Sequence, residues 1–590
     1  MMIDLLLALS AALAADTATF PNAQPPALGA IVRDFELVDT HRRTRTFGSF
    51  PDKKAYVVVF LGTECPVANL YVPRLIALHG EFESRGVQFL GINSNPQDSF
   101  ARMAGHAQER EIPFPVLKDF DQKFAKSIGA TRTPEVFLLD ADRAIRYRGR
   151  IDDQYTVIHR RPEAARDDLK LALQEWIETK KIAVTGTTVS GCAITWLDQP
   201  RVQEPVTYAK HIAPILQQRC QECHRPGQVG PFSLLTYDAA KRRSAMLYEA
   251  VLEERMPPWH ADPHYGAFAN DRRLLPRERE WLLAWIEQDC PLGAEETAPS
   301  AKDFPEGWTI GTPDLVMQMP VEETVPATGV VPYKYYEVDP GFKEDVWFQA
   351  AEARPGNRQV VHHIVVYMQV QGQRIFAKDG TTSILVGWAP GDMPAMFPDG
   401  VAKRIPAGAK LRFEVHYTPN GTEQQDRSSI GIILAKEKPK QEAMMNILAK
   451  WRFEIPPGAP AHREQASYTF PEDAHILSLM PHMHYRGVRA YYEAKFPDGR
   501  TERLLSVPSY DFNWQSVYRF REPLFTPKGT TITFTGFWDN SRDNPLNPDP
   551  TRAVPWGEQT WDEMLNGWLE FVFVDPPGQQ VALQDAGPGP

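Results

Sequence analysis

The chain has 590 residues, 43% hydrophobic and 24% charged, values that exclude a disordered, collagen-like or polytopic membrane chain. At this length one hydrophobic core does not suffice, and three or four domains are expected. Lys and Arg total 64 against 75 Asp and Glu, a net charge of −11, and with no run of basic residues the sequence predicts no nucleic-acid partner.

Residues 5–14 form a short apolar run ending in Ala12, Leu13 and Ala14 before Ala15 and Asp16. This small-x-small pattern reads as a secretory signal, 1–14, and places the mature chain in the periplasm or outside the cell. Asp4 precedes the run and no Lys or Arg does, so a disordered N-terminus is the alternative. No later stretch approaches the roughly 20 apolar residues that span a bilayer, and no transmembrane segment is expected after signal cleavage. From about 35 to 194 strands alternate with helices. The runs 55–61 and 87–93 are β-branched and suit buried strands, 136–140 with 145–148 suits a hairpin, and helical periodicity fills 73–85 and 164–179. This is an α/β layer domain, 24–196.

Residues 203–295 read as helical, with helices at 209–218, 241–254 and 276–288. The stretch 296–313 mixes Ala, Thr, Pro, Ser and charges and reads as a linker. The chain carries 52 prolines, crowded into the second half. From 314 onward short alternating segments recur, 410–417 and 530–537 among them, separated by turns such as Asn420-Gly421 and Pro457-Gly458. So much β sequence predicts two all-β sandwiches, 314–440 and 441–576, before a flexible tail, 577–590.

Five cysteines, Cys65, Cys192, Cys220, Cys223 and Cys290, are too few for a disulfide scaffold and are therefore candidates for chemistry. Cys65 follows a buried strand and opens a helix, whose N-terminus favours the thiolate. Thr133-Pro134 precedes the next strand, where thioredoxin-like domains carry a cis-proline beside the active cysteine. The domain resembles the thioredoxin-like redoxins. It departs from thioredoxin because Ala68 stands where CxxC requires a second sulfur. It departs from peroxiredoxins because Thr63 lies two residues before the cysteine rather than three. Cys192 is open to three readings: a resolving thiol for Cys65 in a reversible disulfide, an inert thiol, or half of a permanent disulfide. Cys290 reads as structural.

Cys220-Gln221-Glu222-Cys223-His224 is a CxxCH sequence, which in an exported chain marks covalent haem c attachment, with a zinc half-site as the alternative. Two thioethers fix the porphyrin and His224 becomes the proximal iron ligand. Met256, about thirty residues on, is the candidate sixth ligand; Met246, His260 and His264 compete, and Met256 as a packing residue is the plainer reading. The segment 203–295 resembles an all-α c-type cytochrome, and the resemblance implies electron transfer.

The β-rich half holds His362 and His363, then His416, then His482 and His484. On a strand residues two apart share a face, so His482 and His484 can grip one metal, whereas the adjacent pair His362-His363 needs a bulge or a strand end. Imidazole sets suit copper, zinc or iron, and an added thioether favours copper. The order HH, HY, HxH and then Thr560-Trp561-Asp562-Glu563-Met564 resembles the copper type II, ascorbate-dependent monooxygenases of the peptidylglycine and dopamine hydroxylating kind. The resemblance covers roughly 315–575 and implies two jelly-roll-like sandwiches with one copper each. By motif it makes His362, His363 and His416 the electron-transfer ligands, and His482, His484 and Met564 the oxygen-activating ligands. The animal enzymes are rich in disulfides, whereas this half contains no Cys.

The whole reads as an exported multidomain redox protein with one haem c and two coppers. The leading reading is a monooxygenase hydroxylating a C–H bond of a small molecule or peptide with O2, fed through the haem or by an external electron donor. The alternative is a redox relay, thiol peroxidase or disulfide oxidoreductase centred on Cys65, and a third reading is a copper-binding scaffold with degenerate centres.

Overall fold

An unbroken apolar run buries both faces of a strand, and the run 55–60 does so: every residue of β1 (Ala55–Phe60) is buried. The computed structural model describes residues 26–157, 160–197, 202, 204–304, 307–370, 373–374, 384–389 and 394–574. The expected signal 1–14 and tail 577–590 lie outside the described residues. The described residues divide into two compact units, one formed by those up to 37 with 45–95 and 113–195, the other by 38–44, 96–112 and those from 196 onward.

In the first unit β1 pairs in parallel with β2 (Val87–Asn93), and β2 with β3 (Val116–Lys118). On its other side β1 pairs antiparallel with β5 (Glu135–Asp140), which pairs with β6 (Ile145–Gly149). The short strand β4 (Arg132–Thr133) leaves this sheet and pairs with β7 (Cys192–Ala193). Helix α1 (Pro66–Phe82) begins where the chain leaves β1, seven residues before the helix expected at 73–85. Pro73, which suggests a first helical position, lies in the helix interior instead. In α2 (Asp168–Thr179), Leu169, Ala172, Leu173 and Trp176 form the buried stripe. Phe60 packs against Phe124 and Phe137, and each such buried ring contributes roughly 1.5–3 kcal/mol.

The second unit opens with helical turns at 208–212 continuing into α3 (Ala213–Arg219), then α4 (Ser244–Leu252) and α5 (Pro276–Glu287). These helices do not close an all-α domain. Trp259, Ala261 and Phe268, inside the range expected to be a separate cytochrome, belong to the hydrophobic core of the C-terminal β region. The expected linker is also partly packed: the N–H groups of Thr309 and Ile310 donate to Glu352.

The first β layer combines β8 (Lys334–Val338), β10 (Val361–Val370), β11 (Ile384–Trp388) and β12 (Lys410–Tyr417) in the order β8-β12-β10-β11. It covers a core that includes Phe348 of β9 (Val346–Arg354), Ile364, Phe413 and Val415. A second core gathers Leu479, Tyr492, Phe534, Trp538 and Phe571 between two layers. One is the sheet β14-β19-β16-β17 (His462–Thr469, Thr531–Trp538, Gly487–Lys495, Thr501–Val507). The other is formed by β13, β20, β15 and β18 (Gln441–Ala449, Asn566–Phe573, Ala474–His482, Tyr518–Thr526). The two halves are not separate sandwiches: a further buried cluster of Val365, Tyr367, Ile384, Met480 and Trp568 draws on both. Val401–Ile405 pairs in parallel with β13 at Val401 and Gln441, joining outer strands of both halves into one nine-stranded sheet.

Candidate thiol and metal centres

Cys65 is the N-cap of α1, and its sulfur accepts the Ala68 N–H at 3.4 Å while the thiol reaches the Thr133 carbonyl at 3.1 Å. The Thr133–Pro134 peptide is cis, as expected. Thr133 is also the register partner of Cys192 across β4 and β7, and the two sulfurs are hydrogen-bonded to one another, both as unpaired thiols. Burial alone raises the Cys65 pKa, but hydrogen bonds from Thr133, Cys192 and Ala68 outweigh it and bring the group below an ordinary thiol. Burial and the neighbouring Cys65 push Cys192 the other way. The two thiols are therefore polarised in opposite directions, Cys65 toward the thiolate and Cys192 toward the protonated thiol. Gly191 permits the approach: a Cβ there would lie 2.1 Å from the Thr133 oxygen.

In the second unit, Cys220 and Cys223 are unpaired thiols on the turn after α3. The His224 Nδ1–H donates to the Phe232 carbonyl at 3.1 Å, which leaves Nε2 with its lone pair, the orientation a metal-ligating imidazole needs. The donor atoms are those a covalent haem takes, but the cavity beside Cys223 is only about 80 Å³ and is lined by Arg225, Arg354 and Arg358. Met256 is half-buried on the loop leading to Trp259, whose ring is held in the β core. Of its competitors, Met246 is 56% exposed and His264 lies 3.3 Å from Asp262. Cys290 is buried behind α5, as a structural residue should be.

The pairing of β10 with β12 shifts register between Val361 and His363, so His362 is the extra residue of a bulge. The bulge turns both neighbouring imidazoles to one side. His363 lies opposite His416. The Nδ1 atoms of His362 and His363 are 3.1 Å apart, those of His416 and His362 3.3 Å, and the ligand atoms of all three fall within 4.8 Å of one another. Burial holds the rings neutral, with the pKa of His362 lowered to about 4 and that of His416 to about 3. Three neutral nitrogens facing one point cannot satisfy one another by hydrogen bonds alone, whereas one cation satisfies all three.

His482 ends β15, and His484 follows in the turn rather than on the strand. Their rings nevertheless stand 5.2 Å apart and perpendicular. The His482 Nδ1–H donates to Gln515 Oε1 at 2.7 Å, and the His484 Nδ1–H to the Asp562 carbonyl at 3.3 Å. Both Nε2 atoms are thereby left as acceptors, and that of His484 is buried without a hydrogen-bond partner among the described residues. Met564 lines the same cavity of about 120 Å³ as His363, His482 and His484. The donor set fits a soft metal ion such as copper. Phe512 touches both imidazole sets, stacking on His362 at 4.9 Å and meeting His484 edge-on at 6.1 Å.

Several residues that shape these centres carry no sequence signal of their own, among them Gln515 and Phe512. Glu563 is an exception in hindsight, being the neighbour of Met564. Its carboxylate accepts the N–H groups of His484 and Arg486 and the Trp538 Nε1–H, at 2.9, 2.6 and 2.8 Å, which fixes the His484 turn.

The fold and thiol position of the first unit define a thioredoxin-like redoxin domain. More particularly, residues 28–148 match the model of the AhpC/TSA family. A curated relative, 1-Cys peroxiredoxin B of Oryza sativa subsp. japonica, is 27% identical over 121 residues, 20% of this chain and half the length of that protein. Among solved structures, a hypothetical protein of Sinorhizobium meliloti 1021 is 30% identical, with coverage of 30% of this chain and 97% of the other and a TM-score of 0.27. The peroxidoxin BcpB of Mycobacterium tuberculosis is 23% identical, with coverage of 20% and 82% and a TM-score of 0.19.

Proposed function

We propose that the chain is an oxidoreductase whose first unit performs thiol-dependent redox chemistry at Cys65, with Cys192 as resolving thiol. The observation that carries this reading is the meeting of the two sulfurs beside Thr133-Pro134 in a domain of the AhpC/TSA family. The Cys65 thiolate attacks the outer oxygen of a peroxide, breaking the O–O bond and releasing water or an alcohol, and is oxidised to a sulfenic acid. The Cys192 thiol then attacks that sulfur, water leaves, and a disulfide forms that an external dithiol reduces. Of the uses open to Cys65, this one needs no second sulfur at Ala68. Peroxide consumption driven by dithiothreitol tests it. Cys65→Ser is expected to abolish consumption while removal of copper leaves it unchanged; a Cys65→Ser protein as active as the parent contradicts it.

A second reading belongs to the other unit, and the convergence of one ring nitrogen from each of His362, His363 and His416 within 4.8 Å favours it. Here His362, His363 and His416 hold one copper, and His482, His484 and Met564 another, in an exported monooxygenase acting on a small molecule or peptide. Bound copper would supply one-electron chemistry and oxygen activation for hydroxylation of a C–H bond. The chain's own residues supply the rest: Gln515 and Asp562 orient the second pair of rings, Glu563 fixes their turn, and Phe512 packs against both sets. Cys220, Cys223 and His224, with Met256 as a candidate further ligand, are the residues that would hold a haem c, which would supply one-electron transfer. Copper analysis of protein expressed for periplasmic export tests this reading. Two ions per chain, falling to one in His416→Ala, support it, and fewer than one ion in the parent contradicts it.

A further inference from the structure

The cavity of about 80 Å³ beside the CxxCH turn brings Arg225, Arg354 and Arg358 together with Cys223, and Glu222 and Glu352 also line it. Arg354 ends β9, and Arg358 follows on the turn into β10. That turn is fixed: the Asn357 N–H donates to Asp426 Oδ1 at 2.8 Å, its side-chain amide to Gln424 at 3.0 Å, and a Cβ at Gly356 would lie 2.7 Å from the Arg427 nitrogen. Each guanidinium stands over an aromatic ring, Arg225 over Phe304 at 4.2 Å, Arg354 over Trp308 at 5.4 Å and Arg358 over Trp388 at 5.4 Å. A contact through the flat face leaves the in-plane N–H groups for a ligand. Among the described residues Arg354 and Arg358 make no hydrogen bond or ion pair. Arg225 has only long contacts, 3.4 Å to Glu222 and 3.2 and 3.3 Å to the Gln228 amide, and its Nε is buried without a partner. The two carboxylates do not relieve this crowding. Glu352 is spent on the N–H groups of Thr309 and Ile310 at 2.6 and 3.3 Å, and Glu222 is shared with Lys302 at 3.8 Å. Burial and the like charges of Arg354 and Arg225 accordingly lower the Arg358 pKa.

We propose that Arg225, Arg354 and Arg358 form a binding site for a small tetrahedral oxyanion, phosphate or sulfate in kind, lying against Cys223. The site depends on neither functional reading above, since it needs no metal and no haem. Guanidinium groups hold oxyanions through paired, charge-assisted N–H donors. Three such groups offer more donors than the two oxygens of a carboxylate accept, and the four oxygens of a tetrahedral ion match them better. Arg225, Arg354, Arg358 and Lys302 outnumber Glu222 and Glu352 by two charges, which a dianion cancels. The cavity has room for an ion of a few heavy atoms. Cys223 is half-buried in its wall, and a negative charge beside a thiol disfavours the thiolate, so occupancy of the site quiets Cys223.

The test is calorimetric titration of the full chain, its cysteines reduced, with inorganic phosphate and inorganic sulfate at constant ionic strength, and with acetate for comparison. Saturable binding of one phosphate or one sulfate per chain is expected, and acetate at least ten-fold more weakly. Arg354→Gln and Arg358→Gln should each weaken phosphate at least ten-fold, while Arg500→Gln, at an exposed arginine elsewhere, stays within two-fold of the parent. Should the glutamine variants not fold, Arg358→Lys decides: it keeps the charge, loses the planar fork, and is expected to bind phosphate at least three-fold more weakly. A second readout fixes the place. Labelling of Cys223 by iodoacetamide, followed by peptide mass spectrometry, should slow at least three-fold as phosphate saturates, with the midpoint of the titration, while labelling of Cys192 is unchanged. Absence of saturable phosphate binding, acetate bound as tightly as phosphate, folded arginine variants within two-fold of the parent, or Cys223 labelling indifferent to phosphate would each overturn the inference.

Discussion

Cys192 lies directly opposite Thr133 in the pairing of β4 with β7, and the Thr133 carbonyl is the group that the Cys65 thiol reaches at 3.1 Å. One cross-strand pair thus brings together two cysteines 127 positions apart in the chain. A CxxC motif places its second sulfur on the same helical turn; here the second sulfur beside Cys65 comes from a returning strand.

Because that approach depends on the bare backbone of Gly191, Gly191→Ala is expected to separate the thiols. Its Cβ would meet the Thr133 oxygen at 2.1 Å and the Pro134 ring at 3.2 Å, backbone and ring atoms that cannot swing aside. Disulfide formation after peroxide treatment, read as loss of free thiol, should slow at least ten-fold while first oxidation of Cys65 proceeds.

The polarisation of the pair has a pH signature. Burial raises the Cys65 pKa and the hydrogen bonds of Thr133, Cys192 and Ala68 lower it further than burial raises it. The thiolate is therefore present above a pKa below the ordinary thiol value of about 8.5 and is lost as pH falls through that lowered value. Alkylation by iodoacetamide, followed against pH, should show its midpoint there. Cys192→Ala removes one of the lowering hydrogen bonds, so its midpoint should move upward.

In the other unit the His484 turn hangs on Glu563. Glu563→Ala leaves the His484, Arg486 and Trp538 N–H groups without their acceptor in a buried site. At about 1–3 kcal/mol for each buried unsatisfied donor, a loss of about 3 kcal/mol or more is expected in denaturant unfolding of this unit. Copper bound at His482 and His484 should fall with it, while that at His362, His363 and His416 should be retained.

The CxxCH turn is closed equally tightly. A Cβ at Gly230 would lie 2.6 Å from the Cys223 oxygen and 2.9 Å from His224 Nδ1, so Gly230→Ala displaces the imidazole or the turn. Covalent haem, measured by the pyridine haemochrome spectrum of exported protein, should drop several-fold in this variant.

Much of the scaffold was legible because its signals are local. The β-branched run 87–93 is β2 residue for residue, and the alternating run 410–417 is β12. The bulge required for His362 and His363 to share a metal follows from strand geometry, and the register shift between Val361 and His363 supplies it. What was not legible depends on distant partners. Nothing near Cys192 announces that β7 will pair with Thr133, and spacing alone left three readings of that thiol. Trp259 and Phe268 lie in a proline-rich loop with no period, so their place in the β core, which removes the boundary of an independent cytochrome domain, had no sequence pattern to reveal it. The parallel pairing at Val401 and Gln441, which fuses the expected sandwiches, falls at the boundary drawn between them. Gln515 acts only through the ring of His482.

The most direct test of the thiol-centre proposal is a single turnover of the reduced protein with one equivalent of hydrogen peroxide, acid-quenched and mapped by mass spectrometry of non-reduced peptides. A Cys65–Cys192 disulfide is expected, together with a sulfenic acid trapped by dimedone at Cys65 in Cys192→Ser. Peroxide consumed with Cys65 left as a free thiol, or a disulfide joining other cysteines, would contradict the assignment of this centre.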